Sequence, residues 1–143
     1  MRDPRGENLL SHHELCFGCG TANLFGLQME LWSEGDGIAG RFFVKQDHQG
    51  PPGHAHGGIL ATALDEAMSV LLHSRGTFAL TRSLELELYA PVPVGTFVLV
   101  DAHVERTDGR RIHARARARG GDDDALLAEA AAVFVTAPED APR

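Results

Sequence analysis

No stretch of this chain stays apolar for long enough to span a bilayer, so a membrane-embedded protein is not expected. The leading residues, Met1-Arg2-Asp3-Pro4-Arg5-Gly6-Glu7, hold no apolar signal core. Nothing there argues for export, and a cytoplasmic protein is expected. Positive charge is in deficit: 13 Lys and Arg stand against 20 Asp and Glu, for a formal net charge of −7 and a pI near 5.5. That balance disfavours nucleic acid as the main partner. A phosphorylated small ligand stays open, because it needs only a local basic cluster. No internal repeat is evident. Cysteine is scarce, with Cys16 and Cys19 alone in Cys16-Phe17-Gly18-Cys19-Gly20.

A single Cys-x-x-Cys is a weak signal. His12 and His13 lie just upstream, so four candidate ligands fall close together. Zinc would want all four arranged tetrahedrally, or a second pair from another chain. The simpler reading is a tight turn with two small reduced thiols, and no metal or cofactor is expected. A redox pair is disfavoured because no strand-to-helix start surrounds the motif.

What is present reads as one domain. The 143 residues are 43% hydrophobic, enough for a core. Residues 1–14 read as a polar lead, 15–137 as a single domain and 138–143 as a tail. A strand from Gly26-Leu27 to Trp32 and its hairpin partner, Ile38 to Val44, flank a turn at Ser33-Glu34-Gly35-Asp36-Gly37. A loop from Lys45 to Ala55, broken by Pro51-Pro52-Gly53, leads to a helix over about 58–73. Strands follow at Phe78–Tyr89, Thr96–Arg106 and Arg111–Arg119, with Thr107-Asp108-Gly109-Arg110 as a tight hairpin. Leu126 to Thr136 is alanine-rich and reads as helix on propensity. Val133-Phe134-Val135-Thr136 and the need for an antiparallel partner favour strand. The helix is apolar nearly all round, through Ile59, Leu60, Leu64, Met68, Val70, Leu71 and Leu72, so it is expected to be buried with a sheet curled around it.

The chemistry centres on His56-Gly57-Gly58 and the helix they open. The first amides of a helix have no intrahelical partner, and with the helix dipole they suit a developing negative charge. Asp65, in an otherwise apolar stretch, is costly as an ion unless it has a use. Gly57 and Asp65 lie about 12 Å apart along the axis, at about 1.5 Å rise per residue. One reacting carbonyl cannot touch both within one helix. Either they do unrelated jobs, or two antiparallel copies bring Asp65 of one chain to Gly57 of the other, which predicts a two-fold dimer with two shared sites.

His56-Gly57-Gly58 followed by Ala61-Thr62 and Leu64-Asp65-Glu66 resembles the hotdog-fold acyl-CoA thioesterases of the PaaI and THEM type. The resemblance runs from about Cys16 to Val135, and the Cys16–Gly20 turn with Asn23 and Gly26-Leu27 resembles the entry segment of one subgroup. It implies an α+β hotdog fold, an antiparallel sheet wrapped around one long helix, with the site across a dimer interface. It implies hydrolysis of an acyl-CoA substrate by a homodimer or a dimer of dimers. The Gly57 amide would be oxyanion donor, and Asp65 nucleophile or general base. Thr81 matches a position that helps place the water or the carboxylate; otherwise it is an ordinary strand threonine.

The remaining candidates carry plainer alternatives. His56 and Gly58 are candidate ligand contacts, although a loop-holding histidine is the commoner case. Glu66 points about 100° from Asp65 and is given a support or ligand-contact role. Where the family often has Asn or Gln in the preceding loop, this chain has Gly50, with Gln49 as a substitute. Arg82, Arg110 and the stripe Arg115, Arg117, Arg119 are candidate phosphate contacts; the plainer reading pairs at least two of the stripe with Glu85, Glu87 or Glu105. Phe25, Trp32, Phe42, Met68, Leu72 and Phe78 are candidates to line an aryl or fatty-acyl pocket. The alternatives are a non-catalytic acyl-CoA binding domain on the same fold, and a hydratase, whose usual His–carboxylate pair is not found.

Overall fold

A computed structural model describes residues 8–138. Residues 1–7 of the expected lead and 139–143 of the expected tail lie outside the described residues. The elements run β1 (Glu30–Glu34), β2 (Gly37–Phe43), a 3-10 turn (Gln46–His48), α1 (Gly57–Ser74), β3 (Ala79–Leu88), β4 (Phe97–Asp108), β5 (Arg111–Gly120) and β6 (Leu126–Thr136). The strands form one antiparallel sheet in the order β1-β2-β4-β5-β6-β3, and α1 packs across it. The expected α+β architecture of one long helix against an antiparallel sheet is therefore what the chain adopts.

The alanine-rich segment is strand because its neighbours outvote its propensity. β6 lies between β5 and β3 and pairs with both. Ala114, Ala116 and Ala118 stand opposite Ala132, Ala130 and Ala128 across the β5–β6 ladder. All six are buried beneath α1, which answers with its own buried Ala63 and Ala67. Small side chains on both surfaces let the helix approach the middle of the sheet closely. The alternation in β5 then sends Arg115 and Arg117 to the face away from the helix.

Most element boundaries shift by one or two residues from the sequence reading, and the first strand and the lead differ most. The first strand starts at Glu30, not Gly26. Leu27 and Met29 instead give their amides to the carbonyls of Phe17 and Gly18, so this stretch is drawn to the cysteine turn. The polar lead is also not loose over its described part. Leu10 N–H bonds the Leu31 carbonyl, and His12 packs on α1.

The loop before α1 is pinned by a buried histidine. His48 is 2% exposed. Its Nδ1 accepts from the Lys45 amide at 3.1 Å, which leaves Nε2 as the donor to the Gly26 carbonyl at 3.1 Å. Burial pushes its pKa down, in keeping with this neutral form. His48→Leu should lower unfolding free energy by about 2–4 kcal/mol in urea titration, because two buried backbone groups lose their partners. A loss under about 0.5 kcal/mol would show that the ring only fills space.

Candidate active site

The helix start is built by its own cap. His56 has extended backbone (φ −64°, ψ 139°), and its Nδ1 accepts from the Gly58 amide at 2.8 Å. His56 is thus the loop-holding histidine, and the Gly58 amide is occupied. The Gly57 amide, at the first helical position, meets no acceptor among the described residues. Gly57 lines a pocket of about 360 Å³ whose walls also include Pro51, Ala55, Leu60, Leu88, Tyr89 and Val92. A Cβ on Gly57 would stand 3.0 Å from Leu88 Cδ1.

The loop explains why glycine stands at 50. A Cβ there would lie 2.8 Å from the Cα of His56, so a larger residue would displace the cap. Gln49 braces the loop. Its Oε1 accepts from the Gly53 amide at 2.6 Å and closes the loop on itself.

Asp65 is half-buried on α1, and Thr81 Oγ1 donates to its Oδ1 at 2.6 Å. The register of β3 makes this contact. Between Thr81 and Ser83 the β3–β6 pairing slips, with Arg82 as the extra residue. Plain alternation back from Leu84 and Leu86 would turn Leu80 inward and Thr81 outward. The bulge reverses that: Ala79 joins Leu84 and Leu86 against the core, Leu80 is 66% exposed, and Thr81 reaches the helix. Burial pushes the Asp65 pKa up and the Glu66 charge adds to this, while the Thr81 hydrogen bond and His12 oppose it.

Asp65 shares an open stripe with Gly58, Thr62 and Ser69, none of them buried. The stripe runs beside β3, the last strand of the sheet, whose outer edge carries no neighbouring strand among the described residues. Gly57 and Asp65 remain about 12 Å apart along α1, as the sequence spacing requires.

Several expected contacts fall elsewhere. Glu66 is 8% exposed and turns from the Asp65 stripe onto the N-terminal segment. There its Oε2 lies 3.2 Å from His12 Nδ1 and 2.9 Å from Cys16 Sγ. Burial raises the Glu66 pKa, but hydrogen bonds from His12, Cys16 and Cys19 outweigh it and the net shift is downward. The Glu66 hydrogen bond, opposed by burial, raises His12 to about 9. Arg115 lies on the sheet face away from α1, and its Nε donates to Glu105 Oε2 at 2.9 Å. Arg117 pairs with Asp101 at 3.5 Å, and Arg110 donates to the Thr136 carbonyl. Arg82 is exposed at the bulge, close in sequence to the Asp65–Thr81 contact. Phe42, Met68 and Leu72 are buried in the core, Trp32 lines a separate pocket with Leu99 and Arg119, and Phe25 is 80% exposed, so none of these five lines the pocket at Gly57.

Residues 52–127 match the thioesterase superfamily. The chain is 33% identical over 87 residues to acyl-coenzyme A thioesterase THEM4 of Xenopus laevis, a match covering 61% of this chain and 39% of that protein. It therefore spans about two fifths of the length of the curated relatives it matches. A thioesterase protein of Streptococcus pneumoniae solved with coenzyme A superposes with a TM-score of 0.71 at 14% identity, over 79% of this chain and 88% of that one. The PaaI protein of the E. coli phenylacetic acid degradation operon gives 0.70 at 16%, over 76% and 82%. These two likenesses are of fold. No helix among the described residues is long and apolar enough to cross a membrane.

Proposed function

This chain belongs to the thioesterase superfamily, with the hotdog fold, and from that premise we propose that it hydrolyses an acyl-CoA thioester in a site shared by two copies. The carrying observation is that α1 presents an unpartnered amide at Gly57 and a positioned carboxylate at Asp65, too far apart on one helix to serve one carbonyl. Two antiparallel helices would join them, Gly57 of one copy facing Asp65 of the other.

The edge of the sheet supports that pairing. β3 is ten residues long, contains no proline or lysine, and leaves Leu80 and Leu88 exposed at 66% and 51%. A long edge with exposed leucines is a template for a second strand, even where the bulge at Arg82 interrupts it. Pairing β3 with β3 about a two-fold axis would set the two α1 stripes beside each other.

In this arrangement the thioester oxygen takes the Gly57 N–H and the positive end of the helix dipole. Asp65 of the partner attacks the carbonyl carbon or removes a proton from the attacking water. Thr81 Oγ1 holds one carboxylate oxygen and leaves the other for the reaction. If water attacks, collapse of the tetrahedral intermediate expels CoA thiolate, which takes up the proton held by Asp65, and frees the acid; if Asp65 attacks, collapse expels CoA and leaves a mixed anhydride on Asp65, which water then hydrolyses to free the acid. Curated relatives named acyl-coenzyme A thioesterases and a fold neighbour solved with coenzyme A support CoA as the thiol carrier. Arg82, exposed at the bulge, is the basic group nearest the Asp65–Thr81 contact in sequence and the one we assign to the CoA phosphates.

Thiol release from short, medium, long and aryl acyl-CoA esters, followed with a chromogenic disulfide, tests the reading. Turnover of one class is expected. Tight binding of CoA esters with no turnover of any would replace hydrolysis with a binding function. Thr81→Val should reduce kcat about 10- to 100-fold without changing the oligomer, since a hydrogen bond to a charged group contributes about 1.5–3 kcal/mol. An unchanged kcat would make Thr81 an ordinary strand residue.

A further inference from the structure

We propose that His12, Cys16, Cys19 and Glu66 form a structural zinc site that fastens the N-terminal segment to α1. One ligand atom from each residue lies within 4.8 Å of all the others. Around a tetrahedral zinc, with Zn–S near 2.3 Å and Zn–N and Zn–O near 2.0–2.1 Å, neighbouring ligand atoms stand about 3.3–3.8 Å apart. His12 Nδ1 is 3.7 Å from Cys16 Sγ, 3.9 Å from Cys19 Sγ and 3.2 Å from Glu66 Oε2. The Cys16–Glu66 contact, at 2.9 Å, is shorter. Two thiolates, an imidazole and a carboxylate make a closed set of four, as a structural site requires.

The surroundings suit that set independently. Ser69 Oγ lies 3.1 Å from His12 Nε2, which orients the ring and leaves Nδ1 to the cluster. Cys19 Sγ receives both the Ser11 hydroxyl and the His12 amide at 3.2 Å. Two donors on one buried sulfur suit a thiolate better than a thiol, which is itself a donor. The turn also needs its glycines. A Cβ on Gly18 would stand 2.5 Å from Glu66 Cγ, and one on Gly20 2.4 Å from the Glu14 carbonyl oxygen. A Cys16–Cys19 disulfide would give neither Glu66 nor His12 a part. Zinc binding would release both thiol protons to solvent.

The full chain, purified without a polyhistidine tag, should carry about one zinc per chain by elemental analysis. Cobalt(II) added to the chelated protein should show the intense visible bands and thiolate charge transfer of a tetrahedral site. Cys16→Ser combined with Cys19→Ser should abolish both signals. Ser69→Ala, which keeps every ligand, should weaken zinc about 10- to 100-fold against a chromophoric chelator. Chelation should lower the wild-type Tm by several degrees, and zinc should restore it. No zinc bound by wild type even on titration, undiminished affinity in the double variant, or a Cys16–Cys19 disulfide in freshly isolated protein would each overturn the site. None of these readouts depends on thioester hydrolysis.

Discussion

Asp65→Asn should cost about 10²- to 10⁴-fold in kcat, the usual range when a positioned acid–base group is removed, while KM moves little. The substitution is close to isosteric. The asparagine carbonyl can still accept the Thr81 hydroxyl, which now donates to Asp65 Oδ1 at 2.6 Å. Only the charge is lost, and that charge is held partly out of water: burial is the first cause of its raised pKa. The variant should therefore be no less stable than wild type by thermal melt, and should keep its oligomeric state by light scattering. Loss of turnover together with loss of folding would point to a structural carboxylate. Turnover within a few-fold of wild type would sink the role assigned to Asp65.

Glu66 offers the contrast that makes this interpretation specific. It follows Asp65 directly, yet the helix period sends it about 100° away. Asp65 meets β3 at an open stripe, whereas Glu66 is 8% exposed against His12 and Cys16. One neighbour is left to do chemistry, and the other is drawn into the N-terminal segment. A helix one residue out of register would exchange these environments. The Leu64, Ala67 and Leu71 packing against the sheet, all buried, fixes that register.

Much of this was legible in the sequence because it is local. The glycine pair opens α1, the alternation in Arg111–Gly120 survives in β5, and the carboxylate at 65 sits where the helix period places it. What was not legible depends on residues far apart in the chain. The metal candidates near the cysteines were counted as His12, His13, Cys16 and Cys19. His13 instead accepts the Leu15 amide through its ring at 3.2 Å, and the fourth group is Glu66, brought over by α1. The bulge at Arg82 leaves no mark on a Leu/Glu alternation that begins after it, yet it decides which way Thr81 points. The residues around Gly57 were not legible for a related reason. Phe42, Met68 and Leu72 are large and apolar, but the core claims them first.

Gly57→Pro should lower kcat/KM by about 10²- to 10³-fold, the cost of one oxyanion donor, with little change in fold. Gly57 is the first residue of α1, where proline is favoured because its missing N–H has no helical acceptor. His56 is already extended at φ −64° and ψ 139°, which a following proline requires. The nearest obstacle to the new Cβ is Leu88 Cδ1 at 3.0 Å, the end of a side chain that is 51% exposed and free to turn. The substitution therefore keeps the helix start and replaces the amide hydrogen with the ring's Cδ, so no donor is left for the oxyanion. Its greater value is in combination. If each site takes Gly57 from one copy and Asp65 from the other, a hybrid of a Gly57→Pro chain with an Asp65→Asn chain has one site carrying both lesions and one carrying neither. Random pairing of equal amounts makes half the dimers hybrids, so two nearly inactive proteins should recover about a quarter of wild-type turnover after mixed refolding. If each chain supplied its own pair, every site in every dimer would carry a lesion and the mixture would stay as inactive as its parents.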